Sequence, residues 1–202
     1  MLLWAHGSNS IGAGDAMVQA LAWQPASGGQ AGQWLTSQAL LTGAELPREL
    51  AACMDDAGAT LVGWIRSTGQ FSANARLIDT LRTRRHVPGQ GWLAEQIVVS
   101  ATDMKPRQLA LSAAAGQGAG ALWTNSADYS VQAARMSTDG TWIPLGEASD
   151  NSFPLAEIGD PTQLEITQFE DARLLCSWLA SDNRIAGILA TRVHHLSGDT
   201  TN

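Results

Sequence analysis

The chain has 202 residues, a formal net charge of −7, 45% hydrophobic residues and only 15% charged ones. That length is enough for one domain or two small ones with a real core, and eight tryptophans exclude a disordered polymer. Acidity with a single lysine excludes general nucleic-acid binding, which needs a basic patch to release counterions.

The chain opens on Met1-Leu2-Leu3-Trp4, followed by the glycine-rich stretch AHGSNSIGAGDA, the segment Val18-Gln19-Ala20 and the turn Gly32-Gln33-Trp34. Five apolar residues at the start are too few for a signal-peptide core, and none is expected there. No apolar run approaches the length of a membrane-spanning helix, so no span is predicted.

Three later segments align without gaps: PRELAACMDDAGATLVGW from Pro47, PRQLALSAAAGQGAGALW from Pro106 and PTQLEITQFEDARLLCSW from Pro161. In each, a leucine follows the proline by three residues and a tryptophan follows it by seventeen. Trp4 stands at the same place in the opening segment, so the shared tryptophans are Trp4, Trp64, Trp123 and Trp178, at intervals of 60, 59 and 55 residues. After each shared tryptophan come a polar stretch and an apolar segment. In the second and third units a glycine turn ending in Trp92 or Trp142 follows. The units are approximately 1–44, 45–103, 104–158 and 159–202 of a single repeat domain.

Each unit holds short apolar runs bounded by Gly, Asp, Asn and Ser, which predicts strands rather than helices. Asp56-Ala57-Gly58 and Asp139-Gly140 supply the positive φ that tight turns need. The second run of each unit is apolar at successive positions, as in Leu61-Val62, Ala121-Leu122 and Leu174-Leu175, which predicts a sheet covered on both faces. An all-β fold of propeller blades, each of four antiparallel strands, fits the period. A β-sandwich is the alternative; it accounts for strands and turns but not for the period. The spacing gives three, four, four and three strands, the first unit without its first strand and the last without its fourth. That count predicts completion by a second copy, as a homodimer of two half-rings, or by the remaining blades of a larger propeller.

These repeats resemble the β-propeller repeats of bacterial secreted and surface proteins, and loosely those of the sialidase-type superfamily. The latter carry an Asp-box, S-x-D-x-G-x-T-W, in the turn between third and fourth strands. Ser137-Thr138-Asp139-Gly140-Thr141-Trp142 has its residue types but is two residues shorter, and Ser197-Gly198-Asp199-Thr200-Thr201 lacks the tryptophan. The resemblance implies a secreted or periplasmic location. Sialidase chemistry would need an arginine cluster, a tyrosine nucleophile with a glutamate partner and an aspartate acid. Tyr129 is the sole tyrosine, and no glutamate falls in the loops beside it.

Ligand-binding candidates sit in the loops between second and third strands: His6 and Asp15 in the first unit, Arg66 in the second, Asp128 and Tyr129 in the third, Asp182 and Arg184 in the fourth. The expected function is a non-catalytic binding or scaffold module that presents these loops to a protein or glycan. The alternative is a glycosidase- or lyase-like enzyme with an axial carboxylate site, for which Asp128 with Asp182 or Asp15 would supply the pair. No cofactor and no metal site are predicted: adjacent His194 and His195 point to opposite faces of a strand, and His6 and His86 are isolated. Arg82-Thr83-Arg84-Arg85-His86, the one basic run, is expected in a loop between third and fourth strands. Cys53 and Cys176 fall in non-adjacent units and are expected to stay apart as small apolar fillers.

Overall fold

The computed structural model describes residues 2–6, 16–21, 23–24, 29, 31–34, 36–43, 47–71, 77–100, 105–126, 130–147, 162–169, 173–182 and 185–194. Among the described residues the chain is all-β and antiparallel, with no helix, and so none long and apolar enough to cross a membrane.

The first sheet has the order β1–β2–β5, with β1 at Leu2–His6, β2 at Ala16–Leu21 and β5 at Gln38–Gly43. Two short strands, β3 (Trp23–Gln24) and β4 (Gln33–Trp34), pair beside it in sequence. The second sheet runs β6 (Arg48–Met54), β7 (Thr60–Phe71), β8 (Leu77–Val87) and β10 (Gln96–Ser100) from one edge to the other, with the short β9 (Gly91–Trp92) also on β8. The third is β11 (Pro106–Ala114), β12 (Gly118–Asn125), β13 (Ser130–Met136) and β14 (Trp142–Glu147). The fourth is β15 (Thr162–Gln168), β16 (Leu174–Asp182) and β17 (Ile185–His194). Gly58 and Gly140, with φ of +78° and +89°, occupy the two turns where positive φ is expected.

Side-chain alternation along these strands explains the packing. In β12 all eight residues are buried, because Trp123, Ala121 and Ala119 face one neighbouring sheet while Leu122 faces the other. Trp64 joins a buried cluster with Val18, Ala20, Leu40 and Leu41 of the first sheet. Trp123 does the same with Ile65 and Leu81 of the second sheet, and Trp178 with Leu122, Val131 and Ala133 of the third. Each buried indole contributes about 4–6 kcal/mol of apolar burial before ordering costs are subtracted.

The turn tryptophans follow the same direction. Trp92 packs on the cluster of the first sheet, and Trp142 lies against the second, where its Nε1 donates to Thr83 Oγ1 at 2.9 Å. Side-chain to backbone bonds stitch the same joints: Arg84 Nη1 to the Leu40 carbonyl at 3.2 Å, and Gln168 Nε2 to the Gln117 carbonyl at 2.8 Å. The first strands of successive sheets also lie together, with β11 against both β6 and β15.

The basic run falls elsewhere than expected. Arg82 to His86 are inside β8, not in a loop, and alternation divides them between faces. Arg82 pairs with Glu95, Arg84 Nε donates to the Leu93 carbonyl at 2.7 Å, and Arg85 stands 3.8 Å from Asp55. The run is thus spread and partnered, and it forms no basic patch.

Candidate functional site

The site is built where the first strands begin, at the end of the sheets that also carries the links between second and third strands. Each first strand opens on the repeated Pro-x-(Glu/Gln)-Leu, and each has the same irregularity there. The pairing register shifts between Arg48 and Leu50, between Arg107 and Leu109, and between Thr162 and Glu165. The third residue of the motif takes a left-handed conformation in all three copies, with φ of 51° at Glu49, 45° at Gln108 and 52° at Gln163. A bulge of this kind adds one residue to a strand and re-aims the side chains beside it. Side chains other than glycine rarely adopt such φ values, and each costs about 1–2 kcal/mol.

The side chain just before the bulge is Arg48 in the second sheet and Arg107 in the third, and both reach Asp79 of β8. Arg48 Nη2 donates to Asp79 Oδ1 at 2.6 Å; Arg107 Nη1 donates to Oδ2 at 3.1 Å and to its neighbour's carbonyl, Pro106, at 2.9 Å. The Asp79 side chain is only 4% exposed, whereas those of Arg48 and Arg107 are 43% and 37% exposed. One buried carboxylate therefore holds two half-exposed guanidiniums across a joint between sheets. Among the described residues, Arg48 Nε and Nη1 and Arg107 Nε and Nη2 meet no acceptor, so the clasp presents donors and one net positive charge to solvent.

The fourth sheet has Thr162 at the arginine position. The clasp is not among the sites expected from the sequence. Its available signal was the arginine after the proline, present in two units.

Of the candidates read from the sequence, Arg66 is described. It lies in β7 opposite Thr80, whose hydroxyl donates to the Arg66 carbonyl at 3.2 Å. By register it shares a face with Trp64, toward the first sheet, while Asp79 shares the opposite face with Leu81, toward the third. The structure does not bring Arg66 into the clasp. His6 and Asp182 are placed in β1 and β16 by their backbones, and their side chains lie outside the described residues. Asp15, Asp128, Tyr129 and Arg184 lie outside them altogether.

At the opposite end, a cleft of about 410 Å³ opens between the 87–96 and 137–141 turns, with Arg85, Leu93, Gln96, Met136 and Asp139 among its lining residues. Asp139 belongs to the turn that resembles an Asp-box, and its carboxylate is turned inward on that turn. It accepts from the Ser137 hydroxyl and from Thr141 N–H, the latter at 3.0 Å. The Ser137 bond first, and then the Thr141 N–H, hold its pKa below the ordinary aspartate value. A proton donor would need the opposite shift. Among the described residues, no three His, Cys, Asp or Glu side chains gather as a metal site requires. No protein-family model matches the chain, and no characterised protein of similar sequence does.

Proposed function

We propose that this chain is a non-catalytic binding module of β-propeller type, completed by self-association, which offers the arginine end of its sheets to an acidic group on a protein or glycan. The observation that carries the fold part of the reading is that the second and third sheets are each covered on both faces by a neighbouring sheet. A sandwich needs one covered face per sheet, whereas a blade needs two. The adjacent first strands β6, β11 and β15 agree with an axis lined by the innermost strand of each blade.

The binding part rests on the clasp. Asp79 fixes both guanidiniums without exhausting their donors, which is the arrangement that receives a carboxylate, sulfate or phosphate group. The one carboxylate of the clasp, Asp79, is buried and has each of its oxygens bound by a guanidinium, an arrangement that favours holding the arginines over attacking a substrate.

The test is binding of the folded chain to a panel of neutral and acidic oligosaccharides and of carboxylate-rich peptides, measured by interferometry. An acidic member should bind, and Arg107→Gln should weaken it about tenfold or more, the value of one charge-assisted hydrogen bond. Arg48 remains in that variant to neutralise Asp79, so the fold is retained. Equal affinity for neutral and acidic ligands, insensitivity to Arg107→Gln, or turnover of an oligosaccharide would each overturn the reading.

A further inference from the structure

We infer that the group taken by the arginine clasp is a single carboxylate, gripped side-on by Nε and Nη2 of Arg107, in preference to a sulfate or a phosphate. This rests on the binding reading above and names the chemical class of its ligand.

The two arginines of the clasp are not equivalent. Nη1 of Arg107 has two N–H bonds and meets two acceptors, Asp79 Oδ2 at 3.1 Å and the Pro106 carbonyl at 2.9 Å. Both contacts leave untouched the edge of the guanidinium opposite Nη1, where Nε–H and one Nη2–H run parallel. Arg48 instead meets Asp79 through Nη2, at 2.6 Å. That nitrogen belongs to both of the edges on which a guanidinium offers paired N–H groups, so Asp79 breaks one of them.

The third sheet also fixes its arginine more firmly. Arg107 stands opposite Thr124, whose hydroxyl donates to the Arg107 carbonyl at 2.9 Å. Just before it, Lys105 N–H donates to the Asn125 side-chain oxygen at 2.8 Å, and the Lys105 carbonyl accepts from Ser126 N–H at 3.0 Å. Pro106, between the two, is fully buried. In the other copies the place of Thr124 is taken by Ile65, opposite Arg48, and by Leu179, opposite Thr162. Neither has a hydroxyl to give. Arg107 is thus tied at its own carbonyl, at the residues before it and at Nη1. A fork held in this way loses little freedom when a ligand arrives.

Charge selects among the anions. Two guanidiniums less the Asp79 carboxylate leave one positive charge, which one carboxylate neutralises. A phosphate monoester carries about −1.5 to −2 at neutral pH and would leave the site negative beside buried Asp79. Glu49, exposed and next to Arg48 in the chain, and the net charge of −7 oppose a second negative charge further. A sulfate ester matches in charge, but its oxygens are far less basic than those of a carboxylate and accept weaker hydrogen bonds. A carboxylate presents two coplanar oxygens to two parallel N–H groups, the pairing for which an arginine fork is shaped.

The experiment titrates the whole isotope-labelled chain, at neutral pH, with glucuronate and with the sulfate and phosphate esters of the primary hydroxyl of glucose. Binding is followed by nuclear magnetic resonance, including the Arg107 Nε–H signal, which is assigned by its loss in Arg107→Lys. Glucuronate should bind about threefold or more tighter than either ester and should move that signal downfield. Arg107→Lys keeps the charge and removes the fork, and should weaken glucuronate about tenfold, as much as Arg107→Gln does. Circular dichroism checks that the variants are folded; if they are not, the wild-type Nε–H signal and the order of the three ligands decide. An ester that binds as tightly as glucuronate, an Nε–H signal that stays in place, or an Arg107→Lys chain that binds as well as wild type overturns the inference. Each of these leaves the binding reading standing wherever Arg107→Gln still weakens an acidic ligand, and failure of every acidic ligand to bind removes both.

Discussion

Glu49, Gln108 and Gln163 hold a backbone conformation that glycine adopts without cost, and none of them is glycine. Relief of that strain should outweigh the extra freedom glycine gives the unfolded chain. Gln108→Gly is therefore expected to stabilise the fold by about 0.5 kcal/mol, raising Tm by one to two degrees or so in a thermal melt. A lower Tm would show that the Gln108 side chain contributes more than its strained backbone costs. The thiols give a second prediction at this scale. Burial, with the nearby Asp55 charge adding to it, pushes Cys53 up to about 12, and burial pushes Cys176 up to about 11, from an ordinary value of 9.0. The folded state holds both protons more tightly than the unfolded chain. The stabilisation is complete below about pH 9 and is lost as pH rises through 9 toward 11 for Cys176 and 12 for Cys53. At pH 8 both thiols should resist alkylation in native buffer and react fully in denaturant, with the melting temperature falling only above pH 9. Rapid native labelling would contradict the burial that raises them.

At the scale of strands and turns, Gly118 shows how closely adjacent strands approach. It opens β12 at φ +85°, and a Cβ there would stand 1.9 Å from the Met136 carbonyl oxygen, a backbone atom that has no room to move. Gly116, at φ +74° in the preceding turn, has open space around it. Gly118→Ala should cost about 2–4 kcal/mol and Gly116→Ala only about 1–2, a difference measurable as separate midpoints in urea. Equal midpoints would mean that β12 and β13 can part locally without loss. The strands themselves were legible in the residues. Short apolar runs with turn residues between them gave three, four, four and three strands; among the described residues the four larger sheets hold three, five, four and three, the short β9 being the addition to the second, and β3 with β4 form a further pair. The basic run misled because arginine and threonine on a strand's alternating faces read, in one dimension, like a solvated loop. In the sheet Arg82 and Arg84 find carboxylate and carbonyl partners.

For the whole molecule, stability lies in the joints between sheets. Trp64 and Trp123 bury their indole N–H with no acceptor among the described residues, so ring area is what holds them there, while Trp142 keeps its bond to Thr83. Trp123→Ala empties the joint between second and third sheets. It should cost about 3–5 kcal/mol, a large share of the roughly 5–15 kcal/mol that a domain has. Denaturant unfolding followed by the remaining tryptophans would measure this, and a loss under 1 kcal/mol would mean that the sheets stand independently.

The repeating part of the structure was legible in the residues: all-β strands, shared tryptophans and second strands apolar on both faces. Periodicity and burial write themselves into composition wherever a strand has two neighbours. The clasp was decided only in three dimensions. Asp79 lies 31 residues from Arg48 and 28 from Arg107, and no local pattern links them. Their meeting depends on a bulge that turns two arginines and on the pleat that sends Asp79 and Arg66 to opposite faces of one sheet. Alternation moves a side chain to the other face with a single step of register, so the choice of partner belongs to the packing of sheets and is not carried by any one segment.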